Sequence, residues 1–149
     1  MTTMNRLIVC ERTGRWATAL RRELSGPIRQ TRSLSQCWKE LSAAGAGFAV
    51  VELTEGNVKD LLRRMARLER DSPFVRLAVV AARRLTGYEW LMREAGAVHF
   101  VCSSRQLGPL ALLASRHLEN LLQSSQTSPS QDPSERIWAS LPWQDSPAY

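Results

Sequence analysis

One carboxylate, Glu52, stands where this chain could do chemistry. It lies in the apolar run Phe48-Ala49-Val50-Val51-Glu52-Leu53-Thr54, after which the chain breaks into Glu55-Gly56-Asn57. A short apolar, β-branched run reads as a strand buried on both faces, with its last residues delivered to the carboxyl end. In an open parallel sheet that end is where ligands sit. A carboxylate there can serve as a nucleophile or a cation ligand only with suitable neighbours. Cys10, Cys37 and Cys102 have no CxxC spacing and no clustered histidine, so a zinc site is not expected. They read as small buried hydrophobes, and Cys10 and Cys102 fall on strands too far apart for a direct bridge. His99 and His117 have no partner spacing that would make either a catalytic base.

The elements that must position these residues alternate along the chain. Leu7–Cys10 is a first strand, followed by a turn at Glu11–Gly14 and a helix from Trp16 to Leu24 with Trp16, Ala17, Leu20 and Leu24 on one stripe. The polar segment Ile28–Arg32 reads as an edge strand. Ser33 with Gln36 resembles a capping box for a helix through Cys37, Trp38, Leu41 and Ala44, stopped at Gly45-Ala46-Gly47. The central strand 48–53 precedes a helix over about 58–70 that ends before Pro73. A strand at 76–82 follows. Thr86 and Glu89 resemble a second capping box, for a short helix closed by Gly96. Ala97–Cys102 is a fifth strand, and a last helix starts near Leu107 with Pro109 in its first turn. Five strand-helix units, with crossovers too long for hairpins, predict an α/β, flavodoxin-like doubly wound parallel sheet of order 2-1-3-4-5.

Composition bounds the function classes. The 149 residues are 44% hydrophobic, enough for one core-forming domain at 1–123 with an appendage at 124–149. The first segment carries 19 Lys+Arg against 11 Asp+Glu and the second 1 against 3, and Lys39 and Lys59 are the only lysines. Such a surface suits either an anionic partner, nucleic acid included, or plain solvation. Arg63, Arg64, Arg67 and Arg70 line one face of the third helix, but no helix-turn-helix or aromatic interleaving accompanies them. No apolar run approaches the roughly 18 residues of a membrane span. An odd cysteine count without a signal peptide fits a reducing cytoplasm.

The strand pattern, together with Ala95-Gly96-Ala97 before an aromatic-bearing fifth strand, resembles the receiver domain of bacterial response regulators over about residues 5–122. The resemblance implies five functional places at the strand ends. An acidic pair that binds magnesium is matched by Cys10 and Glu11, and the phosphoacceptor aspartate by Glu52. A Thr or Ser after the fourth strand is matched by Ala81, or Ala82 if the register slips. A lysine followed by proline after the fifth strand is matched by Ser103 and Ser104, and a switch aromatic by Phe100. An acyl phosphate needs a nucleophilic carboxylate, a divalent cation and a cationic group on the phosphoryl oxygens. With four of the five places altered, the expectation is a phosphorylation-independent pseudo-receiver, not an enzyme, with no cofactor or metal. Glu52 is then either a fixed mimic of the charged state or a solvated strand-end carboxylate paired with an arginine such as Arg83. Ser103 and Ser104 are expected to cap the last helix.

The segment from Gln123 to Ser134 reads as a polar linker. Beyond it Trp138, Leu141, Pro142 and Trp143 form a short apolar patch, read either as a docking motif for a protein partner or as a segment folding back on its own domain. A homodimer through the fourth and fifth helices is implied only by the resemblance.

Overall fold

A computed structural model describes residues 6–126; the tail residues Trp138, Leu141, Pro142 and Trp143 lie outside the described residues. The strands are β1 (Arg6–Cys10), β2 (Ile28–Thr31), β3 (Ala46–Leu53), β4 (Phe74–Ala81) and β5 (His99–Val101). They alternate with helices α1 (Arg15–Glu23), α2 (Leu34–Ala44), α3 (Val58–Asp71), α4 (Glu89–Glu94) and α5 (Gly108–Gln126). All neighbouring strands pair in parallel, in the order β2-β1-β3-β4-β5. The architecture is the five-stranded flavodoxin-like α/β fold that the sequence predicts, with the polar strand β2 at an edge.

The period of two along a strand divides the core into two layers. Ile8, Cys10, Ala49, Val51, Leu53, Leu77, Val79 and Ala81 face one side, where Leu34, Cys37 and Leu41 of α2, Leu61 and Met65 of α3, and Met92 of α4 cover them. Leu7, Val9, Phe48, Val50, Ala78 and Val80 face the other, under Trp16, Ala17 and Leu20 of α1 and Leu110 and Ala114 of α5. The near-continuous apolar runs of β1, β3 and β4 thus follow from burial on both faces.

Local signals set several helix ends. Ser33 Oγ accepts from the Gln36 N–H at 3.1 Å, as a helix cap should. Gln36 reaches back to the N–H of Arg32 instead of that of Ser33, so the reciprocal half of the box is displaced by one residue. Gly45 closes α2 in the left-handed region at φ 71°. The second capping box does not form. Thr86 lies inside a 3-10 turn over Arg83–Tyr88 and donates its hydroxyl to the Arg83 carbonyl. Glu89 pairs with Arg93 one turn on, at 3.0 Å. The cap position of α4 is occupied by Tyr88, so Thr86, two residues earlier and inside the turn, is not placed to accept the helix N–H groups.

Boundaries shift elsewhere for reasons of pairing. Strand β3 starts at Ala46, because Ala46 and Gly47 find partners in Phe74 and Val75. Helix α5 continues to Gln126, past the expected linker start, with Ser124 Oγ donating to the Asn120 carbonyl at 2.9 Å.

Two glycines separate backbone conformation from packing. An added Cβ meets nothing within 4 Å at Gly45 or at Gly87, but only Gly45 has positive φ. Gly45→Ala should therefore destabilise the protein by about 1–2 kcal/mol, while Gly87→Ala should be neutral or stabilising by up to about 1 kcal/mol. Urea unfolding of the two variants beside the parent measures both.

Candidate functional site

The carboxyl ends of β1 and β3 meet above a cavity of about 240 Å³ whose lining includes Cys10, Glu11, Arg32, Glu52, Asn57 and Asp60. Glu11 and Glu52 are thus brought together. Both make hydrogen bonds to α1. Glu11 is buried, at 5% exposure. Its two oxygens accept the backbone N–H groups of Trp16, at 3.1 Å, and Ala17, at 3.0 Å. Those are orphan donors in the first turn of α1, and the residue at the cap position is Gly14, which has no side chain to serve them. A carboxylate at this end also meets the positive end of the helix dipole.

Glu52 Oε2 accepts the indole N–H of Trp16 at 3.0 Å. The expected arginine partner is not the one found: Arg84, not Arg83, forms a salt bridge nearby, and with Glu55, at 3.4 Å. Register explains the partner. Phe48 and Val50 face the α1 side, so Glu52, in step with them, points toward α1. The buried Trp16 ring turns its one polar atom to that carboxylate, as a buried tryptophan must find an acceptor. One residue therefore ties both acids, Glu11 through its backbone and Glu52 through its side chain.

Asn57 secures the loop after β3. Its Oδ1 accepts the Thr54 N–H at 2.8 Å, and its Nδ2 donates to the Glu52 carbonyl at 2.9 Å. Neither Trp16 nor Asn57 reads as a site residue in the sequence. The Trp16 side chain reads there as core, and the Asn57 pattern reads as a turn.

The remaining positions lie as follows. Ala81 ends β4 opposite Leu53, is buried, and has no hydroxyl to offer. Phe100 pairs in register with Val79 and is buried, 7% exposed, in the layer under α2, α3 and α4. Ser103 caps not α5 but a 3-10 turn over Ser104–Gln106, its Oγ accepting the Arg105 N–H at 3.3 Å. His117 Nε2 lies 3.0 Å from the Phe74 carbonyl. Cys102 takes a long contact from the Thr86 hydroxyl at 3.5 Å, while Cys10 and Cys37 share the buried layer under α2. Among the described residues no group of three or more His, Cys, Asp or Glu side chains is placed to hold a metal ion.

The arginine row of α3 is partly engaged. Arg64 pairs with Asp60 at 3.1 Å, donates to Ser35 Oγ at 3.1 Å, and lies over the Trp38 ring at 5.6 Å. Arg70 lies 3.7 Å from Asp71. Exposed pairs of this kind contribute about 0–1 kcal/mol each, so they shape the surface more than they stabilise it. No helix among the described residues is long and apolar enough to cross a membrane.

No protein-family model matches the chain, and no curated protein does. Among solved structures, the chain is similar to HP1043, an orphan response regulator of H. pylori, with a TM-score of 0.58 at 15% sequence identity. That likeness covers 76% of this chain and 96% of the other, and it establishes a receiver-like fold.

Burial pushes the Glu11 carboxyl above its ordinary value of 4.5; the N–H groups of Ala17 and Trp16 oppose the rise, and the Glu52 charge adds to it. A carboxyl raised in the folded state binds its proton more tightly than in the unfolded chain. Its contribution is full below the ordinary value and is lost as pH rises through the folded one. Glu11→Gln should therefore cost about 1–2 kcal/mol through the weakened cap. The parent's advantage over that variant should widen as pH falls from neutral toward 4.5, measured by denaturant unfolding across that range. Trp16→Phe, which removes the donor to Glu52, should cost about 1–3 kcal/mol.

Proposed function

We propose that this protein is a phosphorylation-independent pseudo-receiver that acts as a protein-interaction module in regulation. One observation carries the reading: the groups at the strand ends are engaged in the fold's own hydrogen bonds. Glu11 caps α1, Glu52 holds the Trp16 indole, and Ser103 caps a 3-10 turn. Ala81 supplies no hydroxyl, and no lysine follows β5 before α5.

The chemistry argues in the same direction. Glu52 extends one methylene further than an aspartate, and a misplacement of about 1 Å can cost about a hundredfold in rate. To act as a nucleophile it would also have to leave Trp16, whose indole would then be a donor without its acceptor. Mg²⁺ demands near-octahedral oxygen geometry, and both oxygens of Glu11 already accept backbone N–H groups. The receiver-like fold shared with an orphan response regulator supports a regulatory role over a metabolic one.

An interaction role is supported by the outer surface. Trp90 on α4 is 71% exposed, with Leu91 beside it, while Met92 of the same short helix is fully buried. A tryptophan left in water on a fixed helix is the kind of anchor that protein interfaces use. A nucleic-acid partner is less well supported, because Arg64 and Arg70 of the α3 row already have acidic neighbours. The reading gives a constitutive module, since a fixed carboxylate cannot respond to a kinase.

Incubation with acetyl phosphate and Mg²⁺, or with beryllofluoride and Mg²⁺, should leave the intact mass and the tryptophan fluorescence unchanged. A phosphoryl adduct on Glu52 would overturn the reading. For the interaction role, Trp90→Ala should keep the parent's circular dichroism and thermal midpoint but lose at least about tenfold in affinity for a partner captured by the full chain. That loss corresponds to about 1.4 kcal/mol.

A further inference from the structure

The exposed side of α1 presents arginines to a cleft without acids. Trp16, Ala17 and Leu20 turn one face of this helix to the core, so Arg15, Arg21 and Arg22 stand on the other. They line a cleft of about 580 Å³ together with Thr13, Gln30 of β2 and Ser104 of the 3-10 turn after β5. Among the described residues no aspartate or glutamate lines it, and no salt bridge to any of the three arginines forms. Arg12 and Arg105, next in sequence to Thr13 and Ser104, are exposed as well. The α3 row differs, since Arg64 and Arg70 there have acidic neighbours.

The chemistry of the cleft selects its partner. Guanidinium, hydroxyl and amide groups without a carboxylate are the set that contacts phosphate oxygens in nucleic-acid complexes. Thr13 Oγ1 accepts the Arg15 N–H at 3.4 Å and keeps its own proton to donate. An acidic protein would bring an apolar anchor to its interface, and the lining offers Ala19 alone as an apolar side chain. Nucleic-acid interfaces are instead polar and strongly positive. Arg15 and Arg22 are two helical turns apart, about 10 Å along the axis. At about 3.4 Å per nucleotide along one strand, that separation spans about three phosphates.

We propose that this face of α1, with Ser104 beside it, is a nucleic-acid surface that holds the sugar-phosphate backbone without reading base sequence. No aromatic ring lines the cleft for a base to stack on. The ring of Trp16 is buried, with the Arg15 guanidinium 5.5 Å above it. The excess of 19 Lys+Arg over 11 Asp+Glu in residues 1–123 adds long-range attraction for a polyanion. Helix α1 covers one face of the sheet and α4 the other, so this surface does not overlap the one around Trp90.

The test is fluorescence anisotropy of the full chain with short labelled DNA duplexes of unrelated sequence, between about 50 mM and 200 mM salt. The expected result is binding at the low-salt end, with affinities for the different sequences within about threefold and a linear fall of log affinity with log salt. Arg15→Ala with Arg22→Ala should weaken binding at least about tenfold and reduce the salt slope by about two. Arg63→Ala with Arg67→Ala on α3 removes the same charge and should change affinity by less than about threefold. Circular dichroism and thermal midpoints of both double variants check that they fold. The proposal is overturned if no duplex binds at the low-salt end, or if the α3 variant loses as much affinity as the α1 variant. It is equally overturned if one sequence is preferred by more than about tenfold, or if polyglutamate competes as well as unlabelled duplex. Trp90→Ala should leave duplex affinity unchanged, so this surface and the protein-interaction role fail separately.

Discussion

Strands β1, β3 and β4 are buried on both faces, and a backbone so enclosed can satisfy its N–H and C=O groups only through its neighbours in the sheet. That constraint explains the helices on both sides, since each strand shows apolar residues up and down in alternation. It also explains the edge position of β2, whose middle residues Arg29 and Gln30 are exposed. In a parallel sheet every strand ends on the same side, so any polar residue just past an apolar run is delivered to one edge. Glu11 and Glu52 meet for that reason.

What happens at that edge is a contest between chemistry and support. A polar group half out of water is available to a ligand only if the fold does not need it. Here α1 begins at a glycine that cannot cap, and Glu11 takes over that task. Trp16, placed under the sheet by its apolar ring, needs an acceptor for its indole N–H, and Glu52 is within reach. Each engagement raises the cost of using the same carboxylate in a reaction, because the abandoned donor would be left buried and unpaired. The arrangement is stable because both acids are occupied.

Much of this was legible in the sequence where the signal is local. Phe48–Leu53 reads as a doubly buried strand from its composition, Ser33 as a cap from its spacing to Gln36, and Gly45 as a stop. Local signals failed where two local answers compete. Thr86 with Glu89 has capping-box spacing, yet Thr86 bonds back to Arg83 within a 3-10 turn. Ser103 caps a turn that precedes α5, because that turn has its own orphan N–H. The partner of Glu52 escapes local signals for a different reason. Charge suggested an arginine, whereas strand parity decides the side on which the carboxylate emerges, and that side carries Trp16.

The sequence by itself determined the order of elements, the two-layer core and the edge to which the carboxylates go, because periodicities of two and 3.6 are properties of neighbouring residues. Tertiary structure alone decided who meets whom at that edge. Trp16 and Glu52 are 36 residues apart. Their contact depends on the β1–β3 register and on how α1 crosses the sheet. Those are set by the packing of the whole core, and no local pattern encodes them.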